Sequence, residues 1–207
     1  MKTIRINTFE TNSSSTHAIV VPKQVDSEKY DLYDSLDHDY AFGREECRLC
    51  DNWDEKLAYA YMLLIDNNVE ELDIFKNQVR EIWKKLFNNT NCTPTPQDVF
   101  NYIDRKGEGG DLTGSDTFLV LKERYGNYVD HANGLDNTDF IERLKTDNEF
   151  IKRFIFNRDS YITVGGDEFR GYNIKTIGFE YDYENEDDFW NKLEEYKKSH
   201  DVYLKGN

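Results

Sequence analysis

The sequence predicts an α+β fold with a mostly antiparallel sheet, a helical hairpin insertion and an acidic helix near the C-terminus. Strand patterns occupy both ends of the 207-residue chain, and helical patterns lie between them. Aromatic residues make up 14 % of the sequence, and each buried ring removes roughly 150–250 Å² from water. A core is therefore expected despite a mean hydropathy of −0.83. We expect one domain over residues 1–207, with the helical insertion at about 51–106.

Two predicted strands open the chain and are joined by a polar loop. Residues 2–8 alternate polar and apolar side chains, whereas residues 17–21 are mainly β-branched and apolar. Pro22 should end the second strand, since proline has no N–H to donate to a ladder. The loop between the strands spans residues 9–16.

The insertion begins with two helices that we expect to pack as a hairpin. Apolar residues recur at helical spacing over residues 53–65, and Asp51 or Asn52 can serve as the N-cap. A second helix follows the break at residues 67–68. Its apolar side chains fall on one face: Leu72, Phe75, Val79, Ile82 and Leu86.

A third, shorter helix has a clear start signal. Thr95 is a good N-cap, Pro96 suits the first helical position, and Asp98 stands at the third. The helix should end before the glycine-rich loop at residues 107–114, which lacks phosphate-binding spacing.

The second half of the chain returns to strands. Strand patterns occur at residues 117–121, 128–130, 161–164, 174–183 and 202–204. Helical patterns occur at about residues 138–154 and at the acidic segment 186–199.

Negative charge is concentrated in two blocks. The net charge is −15, of which residues 26–55 carry −8 and residues 180–201 carry −6. One explanation is a solvated surface with acids at a helix N-terminus. The other is an electrostatic decoy that meets a basic surface whose natural ligand is a nucleic acid. Direct binding of DNA or RNA is not expected, because the chain has no basic stripe.

Membrane and metal features are sparse in the sequence. No apolar run approaches the ~20 residues that a bilayer span needs, and the N-terminus lacks the apolar region of a signal peptide. We therefore expect a cytoplasmic protein without membrane contact.

Cys47 and Cys50 have metal-like spacing, but a structural zinc needs two more ligands, so we expect reduced, metal-free thiols.

The most unusual segment is the run of seven polar side chains from Thr11 to His17. Hydroxyl, amide and imidazole groups together with exposed backbone N–H groups suit a phosphate or carboxylate ligand. The candidate ligand-binding residues here are Asn12, Ser13, Ser14 and Ser15. The alternative is a polar hairpin loop without a ligand.

Several strings resemble one family. The run at residues 9–17 resembles the N-terminus of phage and prophage proteins of low-GC Gram-positive bacteria that have no assigned activity. Later strings resemble that family's landmarks in the same order, namely residues 42–45, 55–59, 128–131, 156–157 and 165–167. The resemblance ends at about residue 168. It implies a phage context and one folded unit that brings these strings together, and it supplies no catalytic residue.

The polar strings make a candidate constellation of His17, Asp130, His131 and Asp167, next to the turn residues Gly165 and Gly166. Each of them lies at a strand end or in a loop, where side chains can converge. Two imidazoles and two carboxylates would suit a divalent metal, and a carboxylate can alternatively orient an imidazole as a general base. The structural alternative is a turn capped by Asp130 with a half-exposed His131.

Two functions from different classes remain open. The first is a phage-type accessory protein whose polar pocket takes a phosphate-bearing or anionic small ligand, with or without turnover. The second is an acidic, binding-only inhibitor of a basic host defence protein, similar to an anti-CRISPR protein or a nucleic-acid mimic. The first predicts that residues 12–17 pack against residues 130–131.

Overall fold

The computed structural model describes residues 16–25, 30, 40, 42, 48–67, 69–87, 94–107, 129, 138–165, 173–174, 179–180 and 186–205. The helices are α1 (Trp53–Asp66), α2 (Leu72–Phe87), α3 (Pro96–Gly107), α4 (Thr138–Thr146), α5 (Asn148–Phe156) and α6 (Glu186–Tyr196). The strands are β1 (Thr16–Pro22), β2 (Arg48–Cys50), β3 (Tyr161–Gly165), β4 (Asn173–Ile174), β5 (Phe179–Glu180) and β6 (His200–Lys205). The predicted strands at residues 2–8 and 117–121 lie outside the described residues.

The main sheet has four strands in the order β2-β3-β1-β6, and every neighbouring pair is antiparallel. In the central ladder Thr16 pairs with Gly165 and Ile19 with Ile162. β4 and β5 form a separate two-stranded antiparallel pair. The predicted α+β fold with a mostly antiparallel sheet is confirmed.

Helices cover both faces of the main sheet. Ile19 and Val21 of β1 belong to the large core, together with α1 and α5. The alternate residues Ala18 and Val20 pack in a second cluster with Leu193 of α6. This division follows from the period of two in a strand, which sends successive side chains to opposite faces.

Helix α1 is buried on all sides over residues 53–64. It contacts α2, as the predicted hairpin requires, and it packs more extensively against α3 and α5. α2 buries Phe75, Val79 and Ile82 on the predicted face. At the start of α3, the Thr95 backbone N–H and hydroxyl both donate to the Asp98 carboxylate, at 2.8 and 2.7 Å.

The single helix predicted at about residues 138–154 is wrong, because the structure has two helices separated at Asp147. Asp147 has extended backbone angles, and its carboxylate accepts a 2.9 Å hydrogen bond from the Phe150 N–H. An aspartate side chain competes locally with the helical backbone, so it favours a cap over a helix interior. The apolar spacing continues across the break and hides it.

The single strand predicted at residues 174–183 is also wrong. The described residues form the two short strands β4 and β5, in which Ile174 pairs with Phe179. One long strand and two shorter paired strands produce the same alternation of polar and apolar residues, so this pattern alone does not distinguish them. Gly178 just before β5 is the signal that favours an interruption.

Asp201 at the edge of the sheet joins strand β6 to helices α4 and α5. Its carboxylate accepts hydrogen bonds from Arg143 at 3.0 Å and from Arg153 at 3.5 Å. Arg143 also donates to the Tyr203 hydroxyl at 2.9 Å, and Arg153 to the Pro22 carbonyl at 2.7 Å. These two guanidinium groups hold the edge strand against the helices.

We predict that Asp147→Ala lowers the free energy of unfolding by ~1 kcal/mol, because it removes the N-cap of α5. Asp147→Asn should retain most of that stability, since an asparagine side chain can also accept the Phe150 N–H. Urea unfolding monitored by circular dichroism measures both values. Equal losses in the two variants would contradict a capping role for Asp147.

We predict that Asp201→Asn lowers the free energy of unfolding by ~1–3 kcal/mol, because two partly buried guanidinium groups lose their anionic acceptor. Glu195→Gln is the matched control. Glu195 of α6 forms an exposed ion pair with Lys198, which follows the helix. Exposed ion pairs contribute at most ~1 kcal/mol to stability. Unfolding curves that give the control variant the larger loss would refute the assignment.

Candidate functional site

The structure describes two of the ten predicted site residues, His17 and Gly165. The other eight lie outside the described residues: Asn12, Ser13, Ser14, Ser15, Asp130, His131, Gly166 and Asp167. What the structure does show is where the segments that carry them join the sheet.

His17 lies in the core beneath helix α1. Its side chain is on the same face of β1 as Ile19, it is 0 % exposed, and its Nδ1 lies 2.9 Å from the Tyr59 hydroxyl oxygen. Burial raises the pKa of the Tyr59 hydroxyl, so that group stays protonated and can donate. A buried imidazole in this position supports the start of β1 from inside rather than presenting a base to solvent.

The points where the polar strings meet the fold lie close to one another. Thr16, at the end of the N-terminal string, pairs with Gly165, at the start of the Gly-Gly-Asp turn. Val129, which precedes Asp130, forms a parallel bridge with Phe42. The Phe42 ring meets Tyr59 edge to face at 5.1 Å, and Tyr59 contacts His17. Two of the three strings therefore join the main sheet at one ladder position, and the third enters at the bridge to Phe42, whose ring contacts the same tyrosine as His17 does.

Lys56 is a functional candidate that the sequence reasoning missed. The side chain is 1 % exposed, and its Nζ donates to the Asn157 carbonyl at 2.6 Å, the Ser160 carbonyl at 3.1 Å and the Ser160 hydroxyl at 2.9 Å. A signal was present, because Lys56 falls on the same helical face as Trp53 and Ala60. Residues 55–59 and 156–157 both belong to the strings that the resemblance brings together, but the sequence does not indicate that Lys56 makes the contact between them.

The three acceptors of Lys56 are held at the end of helix α5. The Ser160 hydroxyl oxygen lies 2.6 Å from the carbonyl oxygens of both Phe154 and Asn157. The last carbonyls of a helix have no intrahelical donor. A cation at that end also interacts favourably with the negative end of the helix dipole. Lys56 thus ties helix α1 to the turn between α5 and β3.

Burial lowers the pKa of Lys56 to about 7. The nearby carboxylates of Asp51, Glu55, Asp54 and Asp159 act in the opposite direction and favour the charged amine. Protonation of this amine therefore changes near neutral pH, far below the ordinary range of a lysine.

A cavity of about 330 Å³ lies beside Lys56, where α1 begins and α5 ends. Its lining residues are Asp51, Asn52, Trp53, Lys56, Phe156, Asn157 and Arg158. Two buried donors of the lining residues, Trp53 Nε1 and Asn157 Nδ2, have no hydrogen-bond acceptor within the described part of the chain. The Asn157 side-chain oxygen accepts the Asp159 N–H at 3.0 Å, which identifies Nδ2 as the donor.

Metal ligands do not cluster in the part of the chain that the structure describes. No group of three or more His, Cys, Asp or Glu residues within it could hold a metal ion. Cys50 is a buried thiol, and Cys47 lies outside the described residues. The constellation that would suit a divalent metal stays untested, since Asp130, His131 and Asp167 lie outside the described residues. Of the helices described, none is long and apolar enough to cross a membrane.

Within the described residues, some acids of each acidic block are buried or paired with lysines. Asp54 and Glu55 of the first block are buried, and Asp54 accepts a 3.0 Å hydrogen bond from the Tyr40 hydroxyl. In the second block, acids of α6 pair with lysines: Asp188 with Lys192, Glu194 with Lys197 and Glu195 with Lys198. The described part of α6 thus presents paired charges rather than a uniformly negative face.

No family model, curated protein or solved structure matches the chain. The phage-family resemblance thus remains an expectation from the sequence.

We predict that Lys56→Met lowers the free energy of unfolding by ~2–4 kcal/mol at pH 7, because two carbonyls and a hydroxyl lose their donor. The difference in unfolding free energy between wild type and this variant should grow as pH rises from about 7 to about 10, because only the unfolded state keeps the Lys56 proton in that window. Urea unfolding at several pH values measures the difference. The tyrosines with raised pKa values are common to both proteins, so their contribution cancels. A difference that shrinks over this range would refute the lowered pKa.

Proposed function

We propose that the protein binds a phosphate-bearing or anionic small ligand, and that it is a phage-type accessory protein. The binding site comprises residues 12–15, 130–131 and 165–167, at the end of the sheet where β1 begins and β3 ends. The observation that carries the proposal is the pairing of Thr16 with Gly165, because it joins two of the three polar strings at one ladder position.

The residue types at this end of the sheet suit an anion. The Asn12–Ser15 run supplies amide, hydroxyl and backbone N–H donors, and Gly165 and Gly166 allow backbone to approach a ligand closely. His131 adds an imidazole that can carry a positive charge. The bridge between Val129 and Phe42 supports the placement of this string beside the others.

His17 acts as a positioning residue in this proposal. Its ring contacts Tyr59 inside the core. This contact fixes the start of β1, where Thr16 pairs with Gly165, and so fixes the point at which residues 12–15 join the strand. If the site catalyses a reaction, His131 with Asp130 or Asp167 supplies the base or holds a divalent metal. His17 would influence that chemistry only through the loop position.

The acidic inhibitor is the weaker alternative. Asp54 and Glu55 are buried, and the described acids of α6 are paired with lysines. Contact with a basic partner would then depend on residues 26–46 and 180–187. The acids that the structure describes on α6 therefore add little to such a contact.

We predict that inorganic phosphate, pyrophosphate or 5′-AMP binds saturably in calorimetric titrations at constant ionic strength. Asn12→Ala and His131→Ala should each weaken this binding about tenfold or more, which corresponds to ~1.4 kcal/mol or more per lost contact. The matched control neutralises Glu186, Asp187 and Asp188 together as Gln, Asn and Asn, and it should leave the affinity unchanged. Equal losses from both sets, with the fold preserved, would defeat the proposal.

A further inference from the structure

We propose that the outer edge of β6 is a dimer interface, at which a second copy of this chain adds its own β6 in antiparallel orientation about a two-fold axis at Tyr203. The two four-stranded sheets then form one continuous sheet. The interface is independent of the proposed ligand site at residues 12–15, 130–131 and 165–167.

β6 is an edge strand with unpaired backbone groups on its outer side. The sheet order β2-β3-β1-β6 places it at one edge, and no strand in the described part of the chain pairs with its outer side. The Lys23 N–H donates to the Ser199 carbonyl at 2.9 Å, so the ladder between β1 and β6 continues with a hydrogen-bonded residue pair at this position. Hydrogen-bonded and non-hydrogen-bonded pairs alternate along an antiparallel ladder. The β6 residues that direct their backbone N–H and C=O away from β1 are therefore His200, Val202 and Leu204.

The sequence of β6 is complementary to itself when two copies run antiparallel. With Tyr203 of each copy at the two-fold axis, Val202 stands opposite Leu204 and Asp201 opposite Lys205, and each pair occurs twice. Val202 and Leu204 both direct their backbone groups outward, so they form the hydrogen-bonded pairs of the new ladder. Opposite charges at facing positions stabilise a strand pair. An axis at Val202 keeps the hydrogen bonding but places Asp201 opposite Tyr203, so the charges favour the axis at Tyr203.

The second copy also covers apolar surface beside the edge. Val202 and Leu204 are only partly buried, and they pack against the smaller cluster that contains Leu193 of α6. Residues that face each other across a strand pair lie on the same face of the sheet. The Val202 and Leu204 side chains of the second copy therefore lie next to these two residues and remove more of their surface from water.

The charges on β6 do not block this pairing. Edge strands are often protected from association by charged side chains or proline. β6 contains no proline, and the Asp201 carboxylate is held against helices α4 and α5 by Arg143 and Arg153. The net charge of −15 opposes the approach of a second copy. Because salt screens this repulsion, association should strengthen as ionic strength rises.

Sedimentation velocity of the full-length protein measures the association. The protein concentration runs from about 5 µM to about 500 µM, in ~0.3 M NaCl to screen the repulsion. We expect a reversible equilibrium between monomer and dimer. Amide hydrogen exchange observed by NMR locates the interface. The Val202 and Leu204 N–H groups should become protected as concentration rises, whereas the Tyr203 N–H is protected at every concentration because it bonds to β1.

Val202→Pro removes one outward N–H and leaves the ladder with β1 complete, since an edge strand tolerates proline where its nitrogen faces outward. We expect the dimer to weaken about tenfold or more. Leu49→Pro on β2 is the matched control at the other edge of the sheet. The same alternation directs the backbone groups of Leu49 away from β3. This control should dimerise as the wild type does.

Disulfide cross-linking tests the register. Facing Cα atoms in a hydrogen-bonded pair lie ~5.5 Å apart, which is within the range that a disulfide bridges. A mixture of the Val202→Cys and Leu204→Cys proteins should therefore cross-link faster under oxidising conditions than either protein alone. The wild type gives the background from its three native cysteines.

Four results would overturn the proposal. The first is a wild type that stays monomeric over the whole concentration range. The second is protection of Val202 and Leu204 that does not depend on concentration, because another segment of the same chain, such as residues 2–8, then covers the edge. The third is equal weakening by the two proline variants, and the fourth is fastest cross-linking of Val202→Cys alone. The wild-type measurements decide even where a proline variant does not fold. Asn12→Ala should leave the dimer unchanged, so failure of the ligand site and failure of this interface are distinguishable.

Discussion

The hydrogen bonds of the buried Lys56 amine are the interaction on which the arrangement of the large core depends. It connects the first turns of α1 to the Asn157 and Ser160 carbonyls, and those residues form the turn that leads from α5 into the central strand β3. Burying a charge is costly unless acceptors surround it. Three acceptors therefore have to be in place together, and this requirement fixes α1, α5 and β3 relative to one another.

The same helix makes further polar contacts within the core on other sides. Tyr40 donates to the buried Asp54 carboxylate, and Tyr59 contacts the buried His17 ring. An apolar helix can rotate or slide in its groove at modest cost, but each misplaced polar contact leaves a buried donor or acceptor unsatisfied. These pairs therefore specify the rotation of α1, and through His17 they carry that specification to the start of β1.

Sequence reasoning succeeded where the signal is local and failed where it is not. The Thr95 and Asp98 cap of α3 is encoded within four residues, and the strand and helix periods were enough for the fold class. The break at Asp147 was missed because apolar spacing continues across it. Lys56 was not singled out, since its acceptors are about a hundred residues away in sequence. His17 was expected among the polar groups of a pocket, although the alternation of β1 already placed it on the buried face of Ile19.

The distribution of charge sets the conditions for any anion that binds this protein. Residues 26–46 carry −6 and residues 180–187 carry −5 of the total −15, so most of the excess negative charge lies in two short segments. At physiological ionic strength such charges are screened beyond ~8 Å, whereas hydrogen bonds from buried donors act at contact and are screened much less. An anionic ligand would therefore have to gain its affinity from hydrogen-bond donors and cations at its own site. The global field repels each anion in proportion to its charge, so discrimination among ligands of equal charge has to come from the donors and walls of the site itself.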